Sequence, residues 1–341
     1  MLGYLTEISA KVNSSDGKNM GKRVAIGALI TVIAGALIFG VRVDRGGPEL
    51  DGTLIFHRYT DYQSWDATLW MIDLPTGELT QIGSGWQGMD SPINAHFSKN
   101  GQVITFMGSA SNLPEKDWDV FTSTWTGQEW SEPENLTGPN GARDEDPKFS
   151  PDGQSIIYKE DGVLVTMRAD GASKTYLTKG EPQSSMPYFA ANGRDILFER
   201  TGDIYLLRNG QQEKMFAGQG QSSYYPISLD NQSFLYTRVQ SSKHDAIMRG
   251  FYDGTPSISY FFNSTDWDTS DSYPYGDGAR YIFYVTGDFL IPHGGYNLAF
   301  ADLKNAKRYD IDDFYRKART TDINSEYQEL GPAWSSTRFK K

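Results

Sequence analysis

The sequence predicts an all-β fold: a six-bladed β-propeller of four-stranded antiparallel blades, closed by pairing of its N- and C-terminal strands and preceded by one N-terminal transmembrane helix. Three observations predict the propeller. Short apolar runs are punctuated by Asp-Gly and Asn-Gly turns, a unit recurs at steps of 38 to 52 residues, and each end of the repeat region carries only part of a unit. The composition agrees. Among 341 residues there are 35 Gly, 13% aromatics and 22% charged residues, a turn-rich globular mixture that excludes a polytopic membrane protein or a disordered chain.

The first element is apolar. Val24 to Val41 is an unbroken run of 18 residues whose only polar member is Thr31. As a helix it spans roughly 27 Å, close to the ~30 Å hydrocarbon core of a bilayer. Lys22 and Arg23 precede it, and the excess of bases on that side places residues 1–23 in the cytoplasm. Residues 24–41 are thus expected to be a single-pass inner-membrane anchor, 42–50 a linker and 51–341 a periplasmic domain. The alternative is a signal sequence cleaved near Ala34-Gly35-Ala36, giving a secreted or periplasmic product.

The repeat follows. Its clearest copy, Asp144 to Leu177, reads as strand, turn, strand Ser155–Lys159, Asp161-Gly162 turn, strand Val163–Arg168, Asp170-Gly171 turn, strand. Asp-Gly between alternating runs signals a hairpin, because both central residues of a type I′ turn need positive φ. Taking Phe97, Phe149, Phe189, Ile227 and Pro274 as equivalent gives steps of 52, 40, 38 and 47 residues, the range of a propeller blade. Asp51–Thr60 and Thr68–Ile82 supply later strands of a blade without its opening strand. Gly331–Ser336 supplies an opening strand, with Trp334 in the place of Phe149. Joining them completes a sixth blade and leaves no open sheet edge between the chain ends; seven blades is the alternative count. Asp310 to Gln328 lacks β alternation and is expected to form a short helix and loop across one face.

The unit Phe149-Ser-Pro-Asp-Gly153, the apolar strand after it and the closing Leu-Thr pairs at Leu136-Thr137 and Leu177-Thr178 resemble the TolB-type propeller repeat, a WD40-like repeat. Other copies depart from it, reading FSKNG, FAANG, ISLDN and YGDG. The resemblance covers residues 51–341 and implies the propeller and a place in the bacterial cell envelope. The N-terminal α/β domain of TolB has no counterpart here, which puts TolB's own activity in doubt.

Charge and chemistry narrow the function. Net charge is −11, and residues beyond 45 hold 26 bases against 40 acids, a field that repels nucleic acid. With no cysteine, thiolate nucleophiles and Cys-held metals are excluded. No G-x-S-x-G elbow is present. No catalytic residue, metal site or cofactor is assigned. His57, His96 and His244 read as isolated loop or strand-edge residues, whereas His293 lies in an insertion of the last blade. The residues just ahead of the innermost strands are expected at the channel mouth: Asp90, Asn94, Asp144, Asp146, Asp268, Asp271 and Glu329, with His293 beside them. Such a rim suits a basic peptide or a protein loop. Trp65, Trp86, Trp118, Trp125, Trp130 and Trp267 are expected mainly to pack between blades.

Two functions fit. One is a non-catalytic protein- or peptide-binding module of the cell envelope. The other is a carbohydrate-active propeller, an enzyme or a glycan binder, since oligogalacturonate lyases share the TolB-like repeat and use a metal held by several His.

Overall fold

The computed structural model describes residues 47–111, 117–138, 140–216, 222–241, 244–260, 268–287, 295–316 and 322–339. The expected membrane segment 24–41, His293 and Trp267 lie outside the described residues. No helix among the described residues is long and apolar enough to cross a membrane.

Twenty-four strands form six four-stranded antiparallel sheets among the described residues. The closing sheet combines β1 (Thr53–Tyr59), β2 (Thr68–Asp73) and β3 (Glu78–Ile82) with the last strand, β24 (Gln328–Ser335), in the order β24-β1-β2-β3. The second blade is β4 (Met89–Phe97), β5 (Val103–Ala110), β6 (Asp119–Thr124) and β7 (Glu134–Asn135). The third is β8 (Asp144–Phe149), β9 (Ser155–Glu160), β10 (Val163–Arg168) and β11 (Thr175–Tyr176). The fourth runs β12 (Ser185–Phe189), β13 (Ile196–Arg200), β14 (Asp203–Arg208) and β15 (Gln211–Phe216). The fifth is β16 (Ser223–Ser228), β17 (Ser233–Ser241), β18 (His244–Phe251) and β19 (Ile258–Ser259). The sixth is β20 (Asp268–Tyr275), β21 (Tyr281–Gly287), β22 (Tyr296–Asp302) and β23 (Lys307–Asp310). Six blades, not seven, close the ring.

Local chemistry sets the turns. Asp161 and Gly162 have φ of 47° and 81°, as do Asn209 and Gly210 at 52° and 74°, so both hairpins take the mirror-image turn that matches strand twist. In the FSPDG unit the Ser150 hydroxyl donates to Asp152 Oδ1 (2.6 Å) and accepts from the Ser155 amide (3.0 Å). Ser98 and Asn100 repeat this arrangement in the second blade. The motif is therefore a side-chain-stapled turn. The strand registers correct one equivalence: Phe97, Phe149 and Phe189 pair with Ile104, Ile156 and Ile196, but in the fifth blade Ser228, not Ile227, takes that place opposite Phe234.

The core is a ring of interfaces. A separate apolar cluster fills each of the six gaps between neighbouring blades, for example Ile157 and Leu164 against Phe189, Ile196 and Phe198. Between the sixth and closing blades, Leu54 and Phe56 meet Phe283 and Phe300. The helix α1 (Ile311–Tyr315) is wedged there, capped by the Asp310 carboxylate. Ile311, Phe314 and Tyr315 are buried, and the Tyr315 hydroxyl donates to Leu74 O (2.6 Å). This part of the segment expected to cross a face instead packs in the interface.

Closure rests on β1 and β24, paired from Thr53–Ser335 to Tyr59–Gln328. The cross-strand pair Arg58–Glu329 forms a largely buried ion pair (2.8 Å), and Arg58 lies 4.5 Å over the Trp70 ring. At the other end Trp334 Nε1 donates to Asp51 O (2.9 Å). Gly52 has φ of +87°, and a Cβ there would sit 2.1 Å from Ser335 O. Gly52→Ala should therefore cost about 1–3 kcal/mol of strain and lower Tm by several degrees in calorimetry of the full chain. An unchanged Tm would mean that this junction does not hold the ring together.

Candidate functional site: the central channel

The innermost strand of each blade carries a bulge at the same place. Asn94, Asp146, Met186, Tyr225, Asp271 and Gly331 all have φ between 46° and 60°, and the ladder register shifts at each. A bulge adds an unpaired residue and re-aims its side chain. Pro147, Pro187, Pro226 and Pro332 follow four of these residues; lacking an N–H, proline suits a break in the ladder. The bulges bring side chains of successive blades together, and the Asn94 side-chain Nδ2 donates to Asp146 Oδ1 (2.8 Å). The sixth position is glycine. Its missing side chain leaves room for His57, whose ring would lie 2.8 Å from a Cβ on Gly331.

A second layer comes two residues later in each strand: His96, Lys148, Tyr188, Ile227, Tyr273 and Ala333. The His96 Nδ1 accepts from the Phe149 amide (3.1 Å), which leaves Nε2 protonated and facing the hydroxyls of Tyr188 (3.4 Å) and Tyr273 (3.3 Å). The Asn94 amide likewise donates to His57 Nδ1 (3.3 Å). Burial, reinforced by the charge of Lys148, depresses both imidazoles to about 3, so both are neutral at physiological pH. The Lys148 ammonium is buried and donates to Pro147 O (3.3 Å). Burial pushes its pKa down while Asp146 and Asp271 pull it up. Asp271 is raised to about 7, first by burial and then by Asp146, with Lys148 opposing. Asp146, Lys148, Tyr188 and Tyr225 line a small cavity within this core.

The rim predicted from sequence divides in two. Asn94, Asp146 and Asp271 meet in the channel ring. Asp90 lies in β4 opposite Ser109. Asp144, Asp268 and Glu329 belong to the innermost strands themselves and serve the framework. Asp144 accepts from Asn140 (3.1 Å), and Asp268 accepts from the Asp245 amide (2.6 Å) and the Tyr296 hydroxyl (2.8 Å). Glu329 holds Arg58 and the Ser325 amide (3.1 Å). Two histidines expected to be isolated, His57 and His96, instead face the channel core. Trp118 packs as expected, 4.3 Å from Trp65, but in a cluster with Ile93 and Met107 rather than in one of the six interblade cores. His57, His96 and Lys148 are the functional candidates that sequence reasoning missed. Counting back three and one residues from Phe97, Phe149, Phe189 and Trp334 finds the two layers in four blades, because the bulge sits at a constant distance from that anchor; Ser228 and Pro274 hold the place in the other two, and His57, on β1, lies outside this count.

The arrangement defines a class: a closed propeller with a buried, mixed-charge channel whose side chains are tied to one another and to the backbone by hydrogen bonds. Among the described residues no group of three or more His, Asp or Glu is placed to hold a metal ion. No family model and no curated protein matches the sequence. Solved structures do resemble the fold. TolB from Acinetobacter baumannii superposes with a TM-score of 0.62 at 14% identity, covering 84% of this chain and 67% of that one. A putative TolB from Agrobacterium tumefaciens gives 0.55 at 14% identity, covering 76% and 88%. An oligogalacturonate lyase from Vibrio parahaemolyticus gives 0.51 at 12% identity, covering 75% and 78%. The chain is a TolB-like propeller in fold.

Asp144 offers a test of the framework role. It is fully buried, its Oδ1 makes no hydrogen bond among the described residues, and burial followed by the nearby Glu160 raises its pKa to about 7 against the opposing pull of Thr137 and Asn140. A raised carboxyl retains a proton that the unfolded chain has lost, so stability falls as pH rises from about 4 to 7. Asp144→Asn should match the wild type in Tm at pH 4 and exceed it by several degrees at pH 8. An equal difference at both pH values would contradict this account.

Proposed function

We propose that this chain is a non-catalytic binding module of the bacterial cell envelope: a propeller anchored in the inner membrane through residues 24–41 that engages a protein or peptide at its central channel. The observation that carries the reading is the channel's mixed charge. Among the described residues Lys148 makes one hydrogen bond, to a backbone carbonyl, and Asp271 and Asp146 lie close enough to act on it. Such a socket suits a polar or charged segment that satisfies groups the fold leaves underused. Both imidazole Nδ1 atoms already accept backbone amides, which takes them out of general-base work. The likeness to TolB structures supports the fold side of the reading; the envelope location rests on the apolar run and its flanking bases.

A second reading, a carbohydrate-active propeller, is favoured by one feature. Asp271, held near neutrality beside Asp146, is the kind of carboxyl pair that acid–base chemistry on a sugar uses.

The experiment compares two full-length chains, the wild type and Asp146→Asn/Asp271→Asn, in membranes. On the first reading, site-specific crosslinking from the channel rim captures one envelope protein with the wild type and at least tenfold less with the double variant. Incubation with polygalacturonate and neutral glycans then yields no new ends. Release of unsaturated or reducing ends that disappears in the double variant would overturn the binding reading in favour of the second.

A further inference from the structure

Away from the channel, a groove of about 670 Å³ opens between the outer strands of the closing blade and those of the second blade. It falls in the size range of ligand sites. Its wall on the second blade is the hairpin Trp125–Ser131, which precedes the two-residue outer strand β7.

Part of the groove is filled by the chain itself. Arg338 makes a two-pronged ion pair with Asp73, Nε to Oδ1 at 2.7 Å and Nη2 to Oδ2 at 2.8 Å. Phe339 sits in an aromatic cage, its ring 6.0 Å from Phe97, 5.1 Å from Trp125 and 5.0 Å from Trp130. An arginine followed by an aromatic residue is thus the chemistry this wedge already accepts. The rest of the lining continues it. Trp86 is braced flat against Phe106 (5.3 Å, 5° between planes) and keeps part of its surface open. Glu78, Glu129 and Glu132 are exposed around the open stretch. Among the described residues that line the groove, Arg338 is the one base, and it is paired to Asp73.

We infer that the open stretch of this groove binds a peptide segment of a partner protein carrying arginine or lysine next to an aromatic residue, with Arg338 and Phe339 as its fixed floor. Three exposed carboxylates around a Trp surface attract cations and accept their hydrogen bonds, while a cationic side chain gains further on an aromatic face. An acidic glycan is repelled by the same field. The site is separate from the channel and does not depend on the reading given for it.

The test uses the full-length chain and a fluorescein-labelled peptide Arg-Phe-Arg-Trp-Lys, read by anisotropy. Its counterpart with glutamate at the basic positions and the neutral sugar cellohexaose serve as controls. The basic peptide should bind, weaken at least tenfold in the Glu78→Gln/Glu129→Gln/Glu132→Gln variant, and weaken as salt rises from 50 to 300 mM. Binding should be unchanged in Asp271→Asn, which separates this site from the channel. The three glutamates are surface residues, so the variant should keep the wild-type Tm. Absence of binding, equal binding by the triple variant, or quenching of tryptophan fluorescence by cellohexaose in place of the peptide would each overturn the inference.

Discussion

The pairing of β24 with β1 is the constraint on which the molecule rests. Every other blade is built from strands adjacent in sequence, and each gap is filled by apolar side chains from two neighbours. The ring completes only when Gln328–Ser335 enters the closing sheet. That strand also supplies Gly331, whose bare Cα admits His57 to the channel, and it leads directly to Arg338 and Phe339 in the outer groove. Closure, channel and groove therefore share one strand, and a defect in it reaches all three.

The channel follows from a repeated backbone defect. Six bulges at equivalent places turn five side chains inward and leave a gap at Gly331 that His57 enters. Hydrogen bonds from the Asn94 and Phe149 amides fix both histidine tautomers before any ligand arrives. Charge is then concentrated on Lys148, Asp146 and Asp271, while the remaining positions hold Asn94, His96, three tyrosines, Met186, Ile227, Ala333 and Gly331. This division keeps a costly group of buried charges few in number and close to one another.

Much of the fold was legible because each local signal agreed with the next. The Asp161-Gly162 turn, the strand Val163–Arg168 and the half-blades at the two ends each appear where the residues place them. The site was legible only in part. Asn94, Asp146 and Asp271 stand out as polar residues near strand starts, but so do Asp144, Asp268 and Glu329, and sequence alone does not show which are spent on backbone amides and an arginine. His57 was hidden for a different reason. It lies on β1, the second strand of its blade, and reaches the axis only through the space left by a glycine more than 270 residues away. The outer groove left no sequence signal, since its lining is drawn from stretches far apart in the chain, chiefly 71–86, 125–132 and 338–339.

The order of synthesis gives the shared closing sheet a temporal meaning. β1 emerges with Leu54 and Phe56 ready for burial, yet its partner β24 is made more than 260 residues later. At about 5–20 residues per second the nascent chain carries that unpaired edge for a time on the order of tens of seconds. The five locally built blades have time to form in the interval, whereas the first must wait until β24 has left the ribosome. A chaperone holding the leading strands during that wait would shield the one edge that cotranslational folding leaves bare.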